Sequence, residues 1–81
     1  MKIKIKLFAA LRDAAGREEV GLEWRQNMTP ADLMIELGKN FASVAPLLKH
    51  SFVAVNGCYA EPGAALMPDD EVAVLPPVSG G

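Results

Sequence analysis

The first residues of the chain alternate strictly between lysine and aliphatic side chains. In the range 2–7, Ile3, Ile5 and Leu7 occupy the odd positions, and every even position is a lysine. Successive side chains of a β-strand point to opposite faces, so this pattern predicts a strand with one buried and one solvated face. The fold must therefore contain a sheet that is covered on one side, and the rest of the chain must supply the cover.

Turn and cap residues divide the rest of the chain into short elements. Thr29, Pro30 and Asp32 fit the N-cap, N1 and N3 positions of a capping box, which predicts the start of the main helix. Asn56-Gly57 is typical of a two-residue hairpin turn. The other predicted elements are a short helix over 9–15 ended by Gly16, a strand over 18–24 returning onto the first, a second short helix over 44–49, and strands over 52–55, 58–60 and 71–75.

This order of elements predicts an α+β fold. Two strands, a helix and three more strands, in a chain of 81 residues, favour a mixed five-stranded sheet over one main helix, which is the β-grasp or ubiquitin-like layout. The apolar stripe of that helix is expected to run through Leu33, Ile35 or Leu37, and Phe41. A chain of this length has a single core, so we predict one domain over 1–75.

The last six residues, 76–81, are predicted to form a flexible tail. Pro76-Pro77 lacks backbone N–H donors, which ends the last strand and favours an extended exit. Val78-Ser79 is compact, and Gly80-Gly81 has no Cβ, so its backbone can pass through a narrow channel. At roughly 3.3 Å per residue the six residues span about 20 Å, enough to enter the active site of another protein. For an arbitrary protein a terminal Gly-Gly is more often a frayed end or an expression scar, but the Pro76-Pro77 pair just before it favours a functional tail in this chain.

Composition narrows the classes of function. The net charge is −2, and the three lysines of the first strand are more typical of the solvent-exposed face of a sheet than of an RNA-binding site. We therefore expect no nucleic-acid partner. No apolar run is long enough for a membrane span, and the N-terminus lacks the apolar segment of a signal peptide. The single cysteine, Cys58, is consistent with a reducing cytoplasm and excludes a four-thiolate iron–sulfur cluster. Cys58 is interpreted as structural, and His50, the only histidine, as a helix-end or surface residue, so no metal site is expected.

Four stretches carry a resemblance to a known family: residues 7–12 (LFAALR), 55–57 (VNG), 70–73 (DEVA) and, most specifically, 76–81 (PPVSGG). The chain resembles the small, sulfur-carrying subunit of molybdopterin synthase, within the ubiquitin-like sulfur carriers. One departure is Asp69, which stands where the turn before the last strand usually carries glycine. Aspartate tolerates unusual backbone conformations moderately well. The departure therefore leaves the type of this turn undetermined but does not change the predicted fold.

The resemblance implies a chemistry for the terminal carboxylate. A free carboxylate is ionised at pH 7 and unreactive, so it must first be activated. The family uses an E1-like adenylyltransferase, which consumes ATP; this chain has no phosphate-binding loop and is expected to bind no cofactor itself. A sulfur donor such as a cysteine desulfurase or a rhodanese then leaves a thiocarboxylate on Gly81. Gly80, Ser79, Val78, Pro77 and Pro76 would thread the tail into the large catalytic subunit, where sulfur is transferred to cyclic pyranopterin monophosphate to form the dithiolene of molybdopterin.

The resemblance also implies a partner surface and an assembly. Phe8, Tyr59 and Leu75 match the family's hydrophobic contact positions, and Arg12 matches a charged residue beside them. Asp13, Asp69 and Glu71 are candidates for charges around that surface. The expected assembly is a heterotetramer of two small and two large subunits.

Two alternatives remain open from the sequence. The chain could be a sulfur carrier for thiamin, cysteine or tRNA thiolation, or a ubiquitin-like protein modifier. It could also be a β-grasp interaction module whose Gly-Gly has no chemical role.

Overall fold

A computed structural model describes residues 1–76 of the chain, and the helices and strands follow the predicted order closely. The tail predictions for residues 77–81 lie outside the described residues. The elements are β1 (Lys2–Leu7), α1 (Ala10–Ala15), β2 (Glu19–Glu23), α2 (Pro30–Asn40), α3 (Ala45–Leu48), β3 (Phe52–Val55), β4 (Cys58–Tyr59) and β5 (Val72–Leu75).

The five strands form one mixed sheet in the order β2-β1-β5-β3-β4. β1 pairs antiparallel with β2, as the predicted hairpin-like return requires. β5 lies between β1, to which it is parallel, and β3, to which it is antiparallel. The last strand of the chain is therefore the central strand of the sheet, and the C-terminal segment continues from the middle of the molecule. The predicted α+β, ubiquitin-like fold is confirmed.

The core lies between one face of this sheet and α2. Ile3, Ile5 and Leu7 are at most 2% exposed, as their alternation predicts. On α2, Leu33 and Leu37 are fully buried, whereas Ile35 is 58% exposed, so the helix packs through Leu37 and not through Ile35. The remaining members of the buried cluster come from α1, the other strands and the connecting loops: Leu11, Val20, Leu22, Met28, Val44, Val53, Leu66, Val72 and Val74.

The helix ends form as the cap residues predict. The backbone N–H of Asp32 donates to Thr29 Oγ1 at 3.2 Å, and the N–H of Thr29 donates to Asp32 Oδ2 at 3.1 Å, which completes the capping box. Gly16 ends α1 in the left-handed conformation, with φ +74°, and its N–H donates to the Arg12 carbonyl oxygen at 2.9 Å. The start of α2 and the end of α1 are therefore stabilised by local hydrogen bonds.

The turn before β5 forms without a glycine. The Asp70 N–H donates to the carbonyl oxygen of Met67 at 3.1 Å, and the Met67 N–H donates to Asp70 Oδ2 at 2.8 Å. Asp69 has no positive φ in this turn. The turn thus makes no demand for glycine at position 69, and the departure from the family pattern carries no backbone strain.

No helix of residues 1–76 combines the length and the apolar character needed to cross a bilayer.

Candidate functional site: an apolar groove where the C-terminal segment leaves the sheet

The face of the sheet opposite α2 carries a groove that follows β5. Across the strands, Lys6 pairs with Ala73, Ala73 with Ala54, and Ala54 with Tyr59, so these four side chains lie in one row on the same face. The two alanines at the centre of the row are short, and the longer side chains at its ends stand above them. The result is a groove of about 580 Å³, which also reaches Phe8 and Leu75.

Aromatic side chains make this face unusually apolar for an exposed surface. Phe8 is 42% exposed, Phe52 49% and Tyr59 74%. The rings of Phe52 and Tyr59 meet edge to face, with centroids 5.8 Å apart and an interplanar angle of 61°. Phe52 also pairs across the strands with Leu75, the last residue of β5. Apolar groups exposed next to one another in this way are typical of a surface that binds another protein.

A pair of charges borders the groove. Lys6 Nζ lies 3.5 Å from Glu71 Oε1, and both side chains are more than half exposed. An exposed ion pair contributes little to stability, on the order of 0–1 kcal/mol. At the edge of an interface, such charges affect the rate and the specificity of association more than its strength.

The β3–β4 hairpin that carries Tyr59 is fixed by a polar contact to the turn before β5. Asn56 has a φ of +53°, and Gly57 a φ of +85°, as a type I′ turn requires. Asn56 Nδ2 donates to Asp70 Oδ1 at 3.1 Å, and Asn56 Oδ1 accepts from the N–H of Glu71 at 3.0 Å. The side chain of Asn56 therefore links the hairpin to the start of the central strand and sets the wall of the groove.

The structure brings together three of the four predicted contact residues. Phe8, Tyr59 and Leu75 line the same groove. Arg12 lies on α1 and lines a second depression, which shares Lys6 and Phe8 with the groove. Arg12 Nε is 3.9 Å from Asp13 Oδ1.

The three candidate rim charges do not all lie on the same side of the groove. Glu71 lines the groove, whereas Asp13 lies on α1 beside Arg12. Asp69 lies in the turn before β5 and lines a neighbouring depression, which Glu71 also borders. Only Glu71 among these carboxylates therefore borders the apolar face.

Phe52 extends the apolar face beyond the groove, and the sequence predicts a strand for it but no contact role. Its ring contacts that of Tyr59, which lines the groove, while Phe52 itself lines an adjacent depression towards α2. A signal was present, because the order Phe52-Val53-Ala54-Val55 places Phe52 on the same face as Ala54, and the Asn56-Gly57 turn sets Tyr59 opposite Ala54. Reading the hairpin register together with the alternation would have placed Phe52 beside Tyr59.

Cys58 and His50 are the remaining candidates for a chemical role, and both lie at the surface. Cys58 is exposed on β4, and His50 is exposed after α3. Within residues 1–76, no group of three or more His, Cys, Asp or Glu side chains is placed to hold a metal ion. The chemistry predicted for the carboxylate of Gly81 falls outside the described residues.

Comparison with known proteins identifies the family. The family model described as "ThiS family" matches residues 5–81, a range that includes the terminal Gly-Gly. This chain belongs to the ThiS family. It is 34% identical to a molybdopterin synthase sulfur carrier subunit of Chlamydomonas reinhardtii, with all of both chains aligned. It is 31% identical to the protein of the same name from Arabidopsis thaliana, over all of this chain and 84% of that one.

A solved structure adds a second kind of relative. The crystal structure of SAMP1, small archaeal modifier protein 1, from Haloferax volcanii superposes with a TM-score of 0.86 at 30% identity, with full coverage of both chains. The resemblance stated from the four sequence stretches, to the ubiquitin-like sulfur carriers of molybdopterin synthase, is confirmed by the family match and the named relatives.

Proposed function

We propose that this chain is the sulfur carrier subunit of a molybdopterin synthase. The observation that carries the proposal is the position of β5: the strand from which the Gly-Gly segment continues ends at Leu75, beside an exposed apolar groove. A carrier needs two parts. One is a surface that a partner recognises, and the other is a reactive end that reaches the partner's active site once that surface is bound. The full-length similarity to two sulfur carrier subunits of this enzyme supports the choice of pathway.

The proposed chemistry begins with activation of Gly81. Its carboxylate oxygen attacks the α-phosphorus of ATP on an E1-like adenylyltransferase, which forms an acyl-adenylate and releases pyrophosphate. A persulfide from a desulfurase or rhodanese type of donor then displaces AMP, and a thiol reductant cleaves the resulting acyl disulfide. The product is a thiocarboxylate on Gly81. Sulfur tethered in this way reaches a high effective concentration at any site into which the segment is inserted.

The groove would dock the large catalytic subunit, in a heterotetramer of two small and two large subunits. Phe8, Phe52, Tyr59 and Leu75 would be covered in the complex, and residues 76–81 would enter the active site. There the thiocarboxylate transfers its sulfur to the pterin precursor, and water restores the carboxylate. Because a dithiolene has two sulfurs, each product requires sulfur from two carriers that bear a thiocarboxylate.

The experiment that tests the proposal is a one-residue extension after Gly81. An added alanine moves the carboxylate onto a residue with a Cβ and about 3.3 Å further along the chain. We expect folding and binding to the large subunit to be unchanged, and the mass shift for replacement of one oxygen by sulfur to disappear when the chain is incubated with ATP, the adenylyltransferase and a sulfur source. The unextended chain is the positive control. Sulfur transfer by the extended chain would contradict the carrier mechanism.

A second candidate function is favoured by one comparison. The similarity to the archaeal modifier protein supports a role in which the activated Gly81 is joined to an amine of another protein. The same incubation distinguishes the two functions when cell proteins are present. A modifier gives high-mass conjugates that resist thiol reductants, whereas a carrier gives the thiocarboxylate and no such conjugates.

A further inference from the structure

Asn56 uses its side chain where a regular strand would use its main chain. The register of β3 and β5 pairs Val55 with Val72, so Asn56 stands opposite Glu71 at the end of this ladder. The Asn56 N–H donates to the Glu71 carbonyl oxygen at 2.8 Å. In a regular antiparallel ladder the Glu71 N–H would return a bond to the Asn56 carbonyl oxygen. Here it donates to Asn56 Oδ1 at 3.0 Å, so the side chain completes the ladder while the main chain turns, with φ +53°, into the hairpin.

The nitrogen of the same amide is bonded to Asp70. Asn56 Nδ2 donates to Asp70 Oδ1 at 3.1 Å, and the second carboxylate oxygen, Oδ2, accepts from the Met67 N–H at 2.8 Å. All four polar atoms of the two side chains therefore take part in three hydrogen bonds. These bonds connect the β3–β4 hairpin, the residue that precedes β5 and the turn over 67–70.

The connected segments form different parts of the groove. Tyr59 lines it from the hairpin, whereas Ala73 and Leu75 line it from β5. β4 is only two residues long and lies at the edge of the sheet, so its position depends on the turn that joins it to β3. The bonds of Asn56 and Asp70 fix that turn against the start of β5, and with it the distance between the two sides of the groove.

We propose that Asn56 and Asp70 are a positioning pair, whose hydrogen bonds hold the Tyr59 hairpin against β5 and so keep the groove in the shape that the large subunit binds. Binding to a groove that is already formed avoids the cost of ordering the hairpin in the complex. The inference rests on the proposed function, because it assigns the groove to the partner of a carrier. It adds a docking role for two polar residues outside the apolar contact set.

The test exchanges the two residues. In the double variant Asn56→Asp/Asp70→Asn, the carboxylate at position 56 can accept from the Glu71 N–H and from the amide at position 70. The oxygen of that amide can accept from the Met67 N–H, so all three bonds are possible again and the net charge stays at −2. Aspartate before glycine also suits the type I′ turn.

Each single substitution breaks the match between donors and acceptors. Asn56→Asp places two carboxylates face to face, where the original chain has a donor and an acceptor 3.1 Å apart. Asp70→Asn leaves one acceptor oxygen at position 70 for two donors, the Met67 N–H and Asn56 Nδ2. A role of the pair as a unit therefore predicts that two harmful changes restore binding when they are combined.

The four forms of the full-length chain are titrated with the purified large subunit of molybdopterin synthase from the same organism. Asp69→Asn is the charge control for Asp70→Asn, because it removes one charge from the adjacent residue and keeps the three hydrogen bonds. Thr29→Ala is the stability control, because it removes the N-cap of α2, on the opposite side of the sheet from the groove.

We expect each single variant to bind roughly 2- to 12-fold more weakly than the original chain, with the loss from Asp70→Asn exceeding that from Asp69→Asn, and the double variant to bind within about twofold of the original. The NMR order parameter of the Tyr59 amide should fall below about 0.85 in the single variants and return to that value in the double variant. Thr29→Ala should unfold at a lower temperature and keep the affinity.

Two results would overturn the proposal. One is a pair of single variants that bind as the original chain and Asp69→Asn do. The other is a double variant that binds as weakly as the single variants, which would mean that Asn56 contacts the partner directly. Failure of the unmodified chain to bind the large subunit would refute the proposed function instead, and the Tyr59 order parameters of the four forms would still decide whether the pair holds the hairpin.

Discussion

Truncation of Phe52 should weaken partner binding far more than it changes the fold. A phenylalanine buries roughly 200 Å² when covered, and Phe52 is 49% exposed, so about 100 Å² of its surface is available to a partner. At about 25 cal/mol per Å², covering that area contributes at most about 2.5 kcal/mol. Because the Ala variant keeps the Cβ, we expect Phe52→Ala to cost about 1.5–2.5 kcal/mol, which is roughly 10- to 60-fold in Kd.

The assay is titration calorimetry with the large subunit. The fold of each variant can be checked by the fluorescence of Trp24, the only tryptophan, whose Nε1–H donates to the Leu66 carbonyl oxygen at 2.8 Å. Loss of the ring contact with Tyr59 will also reduce stability by about 0.5–1.5 kcal/mol, so binding must be measured well below the unfolding midpoint.

The matched control for Phe52 is Ile35→Ala. Ile35 is 58% exposed, a similar fraction, but it lies on α2, away from the outer face of the sheet. We expect it to change Kd by less than twofold. A Phe52→Ala variant with native Trp24 fluorescence and a Kd within threefold of the original would refute the assignment of the groove as the docking surface, as would an equal loss from Ile35→Ala.

Two predictions concern α2. Gly38→Ala should raise the free energy of unfolding in urea by about 0.5–1 kcal/mol, because glycine is unfavourable inside a helix and the new Cβ would lie in ordinary contact, 3.5 Å from Leu48 Cδ1 and 3.6 Å from Ala45 Cβ; an unchanged or lower urea midpoint would contradict this. Hydrogen bonds from the backbone and then the side chain of Thr29 hold the pKa of Asp32 below its ordinary value of 3.8. A lowered folded pKa stabilises the protein above pH 3.8, and this contribution is lost as the pH falls through the lowered pKa, so Asp32→Asn should be less stable at pH 7 and approach the original chain in acid; a difference that is constant with pH would count against it.

Sequence reasoning predicted those parts of the fold that depend on local chemistry. The alternation over 2–7 identified the buried face of β1, and the Thr29–Asp32 capping box located the start of α2. The Asn56-Gly57 dipeptide located the hairpin, since positive φ at both positions favours those two residue types.

The parts that were missed depend on contacts between distant segments. The neighbours of β5 cannot be read from its own residues, because its parallel pairing with β1 joins the two ends of the chain. The approach of Phe52 to Tyr59 requires the hairpin register as well as the strand pattern. Ala9 has a φ of +52° but carries no local signal for positive φ, because it has neither the freedom of glycine nor the polar side chain of asparagine.

The central position of β5 has a mechanical consequence. A force applied to Pro76 along the strand axis must shear the hydrogen bonds to β1 and to β3 at the same time, whereas a force on an edge strand such as β4 would open its pairs one after another. The C-terminal segment is thus joined to a strand that is paired on both sides. An enzyme that grips this end, or a partner that must release it after each turnover, can pull on it without beginning to unravel the domain.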